Sequence, residues 1–172
     1  MTTPPHVWTV GHSTHTIEQM VSSLTSFSIS LLIDVRSFPG SRRFPQFNRE
    51  NLNTSLPTAG IRYSHMPELG GRRRPAREST NVAWRNASFR GYADYMETSY
   101  FKNGIEKLEE LASRFRTVYM CSEAVWWRCH RALISDYLKS IGVGVTHILD
   151  ASRSEPHPYT SVARIVDGKL FY

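Results

Sequence analysis

The chain has 172 residues, of which 40% are hydrophobic, and a formal net charge of +6. This length and composition predict one folded domain over residues 1–172 that needs no disulfide framework, and the positive charge favours a polyanionic partner such as nucleic acid. The sequence has no apolar run long enough for a membrane span and no signal-peptide pattern. Its two cysteines are typical of a reduced protein, so we expect a cytoplasmic protein with no membrane partner.

The first half of the sequence alternates short apolar runs with an amphipathic helix. Strands are predicted at residues 6–10, 30–35 and 61–66. The second run, SLLIDV, is almost wholly apolar, which indicates a strand buried on both faces of a parallel sheet. A helix is predicted over 17–27, where Thr16 and Gln19 have the spacing of a capping box. Asn48 is the predicted cap of a shorter second helix.

Two arginine-rich loops follow the second and third predicted strands, at residues 37–47 and 67–87. The second loop is long enough to indicate a functional segment, which we expect to be mobile when no ligand is bound. Of the 21 basic residues, 17 are arginine, whose planar guanidinium suits phosphates and base edges. The arginines at or near the two loops are Arg36, Arg42, Arg43, Arg49, Arg72, Arg73, Arg74 and Arg77. A GC-rich gene would also raise the arginine content, but it would not gather these residues in two loops.

The segment from Thr117 to Arg131, TVYMCSEAVWWRCHR, joins the fourth predicted strand to a helix. It contains both cysteines, an acid, two tryptophans, a histidine and two arginines, whereas ordinary turns consist of Gly, Asn, Asp, Pro and Ser. Ligands are usually bound at such strand-to-helix junctions in α/β proteins, so we predict a site here. The remaining predicted elements are helices at 89–98 and 101–115, a fifth strand at 143–149 and a hairpin at 162–172.

Strands that alternate with helices predict an α/β fold. We expect a doubly wound, mostly parallel, five-stranded, three-layer sheet with a short C-terminal hairpin. The expected strand order is 3-2-1-4-5, which places a crevice between the first and fourth strands. The carboxyl ends of parallel strands share one edge of the sheet. At that edge we expect the polar residues His12, Asp34, Glu68, Cys121 and Asp150.

Several stretches resemble one protein family. The run CSEAVWWRCHR at 121–131 is similar to the C-x-E-x-x-x-x-R-C-H-R signature of the bacterial and archaeal family named domain of unknown function 488. The other agreeing stretches are TVGHSTHTIE at 9–18, LIDVRSFPGSRRFPQFN at 32–48, PELGGRRRP at 67–75, FRGYADYM at 89–96 and HILD at 147–150. The resemblance covers residues 7–150 and implies membership of the family, but it implies no activity.

The chemistry that best fits the junction is carboxylate chemistry on a nucleotide or nucleic acid. Cleavage of an N-glycosidic bond develops positive charge on the sugar, and a carboxylate such as Glu123 or Asp34 can stabilise that charge or activate water. Cys121 and His130 complete the predicted catalytic residues. The predicted substrate-binding residues are the stacking side chains His12, Trp126 and Trp127, with Ser13, Arg36, Arg42, Arg43, Arg72, Arg73, Arg128 and Arg131.

A thiol-dependent enzyme is the first alternative. A cysteine that closes a strand before a helix, as Cys121 does, resembles the nucleophile of rhodaneses and Cys-dependent phosphatases, and a helix N-terminus can lower its pKa. Six residues separate Cys121 from Arg128, one more than in the phosphatase signature. In addition, the carboxylate of Glu123 within the loop would repel a bound phosphate.

Two further alternatives stay open. Zinc or iron could be bound by the candidate ligands Cys121, Cys129, His130 and His12. However, the spacing C-x7-C-H lacks the close pairs of zinc motifs, so the preferred interpretation includes no cofactor. A non-enzymatic, basic nucleic-acid-binding module would explain the net charge, although it would leave Cys121, Glu123 and His130 without a role.

Overall fold

A central sheet and its flanking helices are described over residues 4–172 by a computed structural model. The strands are β1 His6–Gly11, β2 Leu31–Asp34, β3 Arg62–His65, β4 Thr117–Cys121, β5 Gly144–Ile148, β6 Ser154–Pro156, β7 Arg164–Val166 and β8 Lys169–Phe171. The α-helices are α1 Ile17–Ser26, α2 Arg49–Thr58, α3 Ala87–Tyr95, α4 Ser99–Arg114 and α5 Arg131–Ser140. None of the helices in this part of the chain is long and apolar enough to cross a membrane.

The predicted α/β fold with a mostly parallel sheet and a C-terminal hairpin is confirmed. Strands β1 to β6 form one sheet, in which only β6 runs antiparallel to its neighbour, and β7 pairs with β8 apart from it. The hairpin turns at Asp167 and Gly168, which have φ values of 49° and 75°. Two successive residues with positive φ are what a type I′ turn requires, so the turn signal in the sequence was correct.

The strand order corrects the prediction. The sheet runs β3-β2-β4-β1-β5-β6, so β4 lies between β2 and β1 instead of beyond β1. Met120 of β4 is aligned with Asp34 on one side and with Val10 on the other. Every residue of β4 is buried, which suits a central strand covered on both faces. The added strand β6 has three residues and no periodicity that sequence could reveal. β1 and β4 are still neighbours, so the two strand ends between which the crevice was expected remain adjacent.

Each face of the sheet has its own apolar core. Successive residues of β4 alternate between them: Val118 and Met120 pack under α1 and α2, whereas Tyr119 and Cys121 pack under α3, α4 and α5. Burial of this apolar surface is the main term that stabilises the fold. The alternation also directs Cys121 towards α5, and so towards the residues at the N-terminus of that helix.

The N-cap residues of α1 and α2 are the predicted ones, but only the side chain at α1 makes a capping bond. The hydroxyl of Thr16 accepts the N–H of Gln19 at 3.1 Å, and the side chain of Gln19 accepts the N–H of Thr16 at 2.9 Å, which completes the predicted capping box. Asn48 precedes α2, but its side chain makes no bond to the helix. It accepts the N–H of Ser41 at 2.6 Å instead, so Asn48 is the N-cap residue as predicted, but its side chain holds the loop at 37–47.

The long loop between β3 and α3 is attached to α3 by hydrogen bonds. The carboxylate of Asp94 accepts the backbone N–H of Ala76 at 2.8 Å, the hydroxyl of Ser79 at 2.6 Å and the amide of Asn81 at 2.8 Å. These bonds fix the middle of the loop and leave its arginine-rich beginning at the edge of the sheet. The mobility expected for this loop without a ligand stays a prediction.

Candidate functional site

A cleft of about 770 Å³ opens at the carboxyl edge of the sheet, where β1, β2 and β4 end. The candidate residues that line it are His12, Ser13, Arg36, Arg43, Arg72, Cys121, Glu123, Arg128, Cys129 and His130. We call Cys121 and Cys129 the cleft floor. The strand directions thus bring together most of the residues selected from the sequence. Asp34, Glu68 and Asp150, which were expected at the same edge, do not line the cleft.

The two thiols of the cleft floor lie side by side. The Sγ atoms of Cys121 and Cys129 are 2.9 Å apart, and the two residues are only 2% and 8% exposed. Cys121 ends β4, and the chain folds back through a short 3₁₀ turn at Trp126–Arg128, which returns Cys129 to the same place just before α5. The Sγ atom of Cys129 accepts the backbone N–H of Arg131, the first residue of α5, at 3.3 Å. Two cysteines that are eight positions apart in the sequence therefore meet at the junction.

Their surroundings give the two thiols different charges. Burial alone raises the pKa of both, since a thiolate is poorly solvated in an apolar environment. For Cys129, the hydrogen bond from Cys121 and the positive charge of Arg131 outweigh burial, and the pKa is lowered. For Cys121, burial dominates and the pKa is raised well above its ordinary value. These opposite directions favour the thiolate on Cys129 and the proton on Cys121, and the backbone N–H that Arg131 donates to Cys129 acts in the same direction.

Arg131 is a buried cation behind the thiols. It is 1% exposed, and its guanidinium donates to the carbonyl oxygen of Glu123 at 2.7 Å and to the hydroxyl of Thr9 at 3.0 Å. The first of these bonds ties α5 to the loop after β4. A Cβ on Gly11 would lie 1.6 Å from the same carbonyl oxygen, so the close approach of β1 to this loop requires glycine.

A line of hydrogen bonds continues from Thr9 into the core and ends at a carboxylate. The hydroxyl of Thr9 donates to Nδ1 of His147 at 2.7 Å, and Nε2 of His147 donates to Nδ1 of His157 at 2.9 Å. Nε2 of His157 then donates to the carboxylate of Asp136 at 2.9 Å. Because the guanidinium of Arg131 only donates and the carboxylate of Asp136 only accepts, each imidazole can accept at Nδ1 and donate at Nε2 along this line. Buried Asp136 is thus linked through four bonds to buried Arg131.

Asp34 supports the wall of the cleft from beneath. Its carboxylate is fully buried and accepts Nε of Arg36 at 2.8 Å, Nη2 of Arg36 at 2.6 Å and the hydroxyl of Tyr63 at 2.6 Å. Bidentate pairs of this kind fix the guanidinium in one orientation. The predicted catalytic role of Asp34 is therefore not supported: its carboxylate is occupied by Arg36, which does line the cleft.

His12 is a neutral imidazole at the end of β1. Its ring stacks on Phe47 with a centroid distance of 4.3 Å, and its Nδ1 donates to the carbonyl oxygen of Ser13 at 2.9 Å. Burial, with a smaller contribution from the charge of Arg36, lowers the pKa of His12 to about 4, although the hydrogen bond to Ser13 acts in the opposite direction. Nε2 therefore bears the lone pair, and it lies 3.4 Å from Nη1 of Arg36.

His130 is held at the opposite side of the cleft floor. Its Nε2 donates to the carbonyl oxygen of Val35 at 2.8 Å, and burial lowers its pKa. Nδ1 consequently bears the lone pair, and a Cβ on Gly71 would approach it to 2.9 Å. The bond between His130 and Val35 links the N-terminus of α5 to the end of β2.

The rim of the cleft is formed by exposed residues of both charges, Arg43, Arg72, Arg128 and Glu123. Two of these arginines lie beside aromatic rings. The guanidinium of Arg43 is 5.2 Å from the ring centre of Phe44, and that of Arg72 is 5.7 Å from the ring centre of Phe38. Phe38 is 71% exposed, which is unusual for a large apolar side chain and favours a contact with a ligand.

Similarity to known proteins identifies the family of the chain. A family model described as "Domain of unknown function DUF488" matches residues 16–138. The chain belongs to this family. The match includes both arginine-rich loops, the cleft floor, Arg131 and Asp136, but it ends before His147 and His157. No curated protein and no solved structure matches the chain.

Some residues selected from the sequence lie outside the cleft. Trp126 is buried and stacks on His147 at 4.6 Å, and its indole N–H donates to Glu155 at 2.8 Å, so it cannot stack on a bound base. Trp127 is half-exposed but does not line the cleft. The residues proposed for substrate binding that the structure places elsewhere are therefore Trp126, Trp127, Arg42, Arg73 and Arg131. The sequence shows which aromatic residues a loop contains, but it does not show which side of the loop each one faces.

The four candidate metal ligands are not arranged as a metal site. In the described residues no group of three or more His, Cys, Asp or Glu side chains could hold an ion. One ring nitrogen of each histidine donates to a backbone carbonyl, Nδ1 of His12 to Ser13 and Nε2 of His130 to Val35. The free thiols of Cys121 and Cys129 are hydrogen-bonded to each other.

Sequence reasoning missed the residues that link Arg131 to Asp136. Thr9 lies inside β1, His147 inside β5, and His157 after β6, so they are far apart in the chain and follow no common spacing. Taken alone, each reads as an ordinary strand or loop residue. A polar residue at a buried strand position, such as Thr9 within HVWTVG, was the one local signal of a hydrogen-bonded partner.

Proposed function

We propose that the protein is an enzyme that acts on a nucleotide or on nucleic acid, bound in the cleft by its phosphate groups. The supporting observation is the composition of the rim, where the exposed cations Arg43, Arg72 and Arg128 surround one exposed carboxylate, Glu123. Three cations against one anion favour a ligand with several negative charges. The formal net charge of +6 acts in the same direction.

The aromatic residues of the rim suit the base of such a ligand. Phe38 and Phe44 each lie within about 6 Å of an arginine, so one aromatic face and one cation are offered together. Stacking on aromatic rings is tolerant of base identity, and arginine adds a contact to the phosphate or to the base face. In this proposal the two phenylalanines take the place that the sequence suggested for Trp126 and Trp127.

The reaction that fits this ligand is cleavage of an N-glycosidic type of bond. Positive charge develops at the anomeric carbon as that bond breaks, and a nearby carboxylate stabilises the charge or activates the attacking water. Glu123 lines the cleft and its side chain is exposed, so it has the freedom to approach a bound sugar. Buried Asp34 orients Arg36 and takes no direct part.

The binding half of the proposal is tested with a short single-stranded oligonucleotide and with a nucleotide, titrated at increasing salt concentration. Arg43→Ala should weaken oligonucleotide binding and reduce the slope of log K against log salt by about 0.7, the value for one lost phosphate contact on a single strand. Arg42→Ala is the matched control, because Arg42 is the adjacent exposed arginine and does not line the cleft. Equal effects of the two variants, or no binding of either probe at low salt, would contradict the proposal.

A thiol-dependent enzyme is the second candidate, favoured by the thiolate on the cleft floor. Cys129 accepts an N–H at the N-terminus of α5 and lies beside the charge of Arg131, which are the conditions that activate a thiol nucleophile. The nucleophile would be Cys129 and not Cys121, which the sequence had suggested. Turnover by two variants separates the two candidates. Loss of turnover in Cys129→Ser with full turnover in Glu123→Gln favours the thiol enzyme. Loss of turnover in Glu123→Gln with full turnover in Cys129→Ser favours the carboxylate enzyme.

A further inference from the structure

The two thiols of the cleft floor have the geometry of a pair that can be oxidised together. Their sulfur atoms are 2.9 Å apart, and a disulfide bond is about 2.05 Å long, so a shift of roughly 1 Å would join them. Both side chains line the cleft, which gives a small oxidant access to the sulfur atoms although little of their surface is exposed.

The surroundings assign different parts to the two sulfur atoms. Cys129 receives a hydrogen bond from the backbone N–H of Arg131 at the first turn of α5, and the guanidinium of Arg131 is held next to the pair by Thr9 and the carbonyl oxygen of Glu123. A helix N-terminus and a fixed cation both stabilise a thiolate. Cys121 lies at the end of β4 with no N–H donated to its sulfur among the bonds of the described residues, and it keeps its proton.

We propose that Cys121 and Cys129 are a reversible oxidation site, at which a hydroperoxide converts the dithiol to an intramolecular disulfide. This inference does not depend on the proposed function, since it concerns the thiols and not the reaction of a bound nucleotide.

The chemistry balances in two steps. The thiolate sulfur of Cys129 attacks the terminal oxygen of the hydroperoxide, the O–O bond breaks, and the products are a sulfenic acid on Cys129 and an alkoxide or hydroxide that takes a proton from water. The sulfur of Cys121 then attacks the sulfur of the sulfenic acid, which releases water and forms the disulfide. Sulfur is oxidised by two electrons and the peroxide is reduced by two. An added dithiol reverses the reaction by thiol–disulfide exchange.

The first experiment needs no variant. The wild-type protein is treated with hydrogen peroxide at a few equivalents, and its intact mass and proteolytic peptides are measured with and without dithiothreitol. We expect a loss of two hydrogens, a peptide that links Cys121 to Cys129, and recovery of both thiols on reduction. Two free thiols after treatment, or oxidation of a single cysteine to sulfinic acid without a linked peptide, would overturn the proposal.

Two variants then test the assignment of the sulfur atoms. In Cys121→Ser the sulfenic acid on Cys129 has no partner, so a dimedone adduct should accumulate on Cys129. In Cys129→Ser the remaining thiol keeps its proton, and dimedone labelling of Cys121 should be at least tenfold slower. Faster labelling of Cys121 than of Cys129 would reverse the assigned roles and contradict the mechanism. Circular dichroism of each variant confirms that a lack of labelling does not come from a failure to fold.

Discussion

Asp34 ends β2 and Glu123 follows the neighbouring strand β4, and the sequence predicts a catalytic role for both carboxylates. The structure separates them by their partners. Asp34 is fully buried and accepts three bonds from the side chains of Arg36 and Tyr63, whereas Glu123 is exposed and its side chain takes part in no ion pair of the described residues. The proposal therefore requires that these two residues respond to amide substitution in opposite ways.

Glu123→Gln should lower turnover without loss of stability. The change removes the charge and keeps the shape, so if the carboxylate stabilises developing positive charge, base release from nucleotides or oligonucleotides should fall by about 10²-fold or more. The melting temperature should stay within about 1 °C of wild type, because exposed side chains contribute little to stability. Oligonucleotide affinity should be equal or higher, because the substitution removes the negative charge that repels phosphates at the basic rim.

Asp34→Asn is the matched control for that prediction. It removes one charge of a buried ion pair, and breaking such a pair destabilises proteins by roughly 3–5 kcal/mol. Urea unfolding should therefore show a clear loss of stability for Asp34→Asn and none for Glu123→Gln. An unstable Glu123→Gln variant, or one with unchanged turnover, would remove Glu123 from the proposed mechanism.

The contact between α3 and the arginine-rich loop depends on a glycine. A Cβ on Gly91 would lie 2.2 Å from the carbonyl oxygen of Arg73, a backbone atom that cannot move alone. Gly91→Ala should therefore destabilise the protein and displace the loop that contains Arg72, even though alanine is favoured over glycine in a helix by about 1 kcal/mol. We expect a lower melting temperature together with weaker oligonucleotide binding.

Gly40 provides the control for this substitution. It lies in the other arginine-rich loop and lines the cleft, but a Cβ there would meet nothing within 4 Å and its φ is not positive. Gly40→Ala should leave both the melting temperature and the affinity close to those of wild type. If Gly91→Ala were as stable as Gly40→Ala, the packing described for α3 and the loop would be incorrect.

Asp136 connects α5 with the C-terminal segment and, through the histidines, with Arg131. Besides His157, its carboxylate accepts the N–H and hydroxyl of Thr160 and the hydroxyl of Tyr172. Hydrogen bonds to a buried charge contribute about 1.5–3 kcal/mol each, so Asp136→Asn should lower the free energy of unfolding by at least about 2 kcal/mol. Asp167→Asn in the exposed hairpin turn should have little effect, because asparagine tolerates the φ of 49° found there. Urea titrations of both variants test this.

The elements were predictable to the extent that their signals are local. The capping box of Thr16 and Gln19 and the turn at Asp167 involve residues that are neighbours in sequence, and both were found as expected. The order of the strands was not predictable in the same way. β2 and β4 are both wholly buried, so hydrophobic pattern alone does not decide which strand lies next to β1.

The candidate site shows the same limit. The direction of parallel strands was enough to place His12 and Cys121 at the cleft, because it depends on where each strand ends. The same argument also selected Asp34, Glu68 and Asp150, which do not line the cleft. The side of a loop that a residue faces depends on packing, which the sequence does not show. Trp126 was therefore predicted to stack on the ligand, whereas in the structure it stacks on His147. The bonds that lead from Arg131 to Asp136 join strands and loops across the molecule, and no local pattern marks them.

Several histidines of the folded protein have lowered pKa values, and this makes the protein less stable in acid. Burial lowers the pKa of His12 to about 4, and burial with the charge of Arg116 lowers the pKa of His6. Burial also lowers the pKa of His130 and of His147. In the unfolded chain each of these side chains titrates near 6.5. Below that pH the unfolded chain binds more protons than the folded protein does, so acid favours unfolding.

We therefore predict that the free energy of unfolding decreases as the pH falls from 7 to 5. Each neutral histidine contributes a slope of up to about 1.36 kcal/mol per pH unit once the pH is below the unfolded value of about 6.5. The lowered pKa of Cys129 also makes the free energy of unfolding decrease as the pH falls, because this side chain is a protonated thiol in the unfolded chain at pH values where it is a thiolate in the folded protein. Urea titrations at pH 7, 6 and 5 measure the slope. His12→Asn should keep the fold and reduce the slope by about one histidine's share, while a stability that is flat or rises towards pH 5 would show that these imidazoles are protonated in the folded protein.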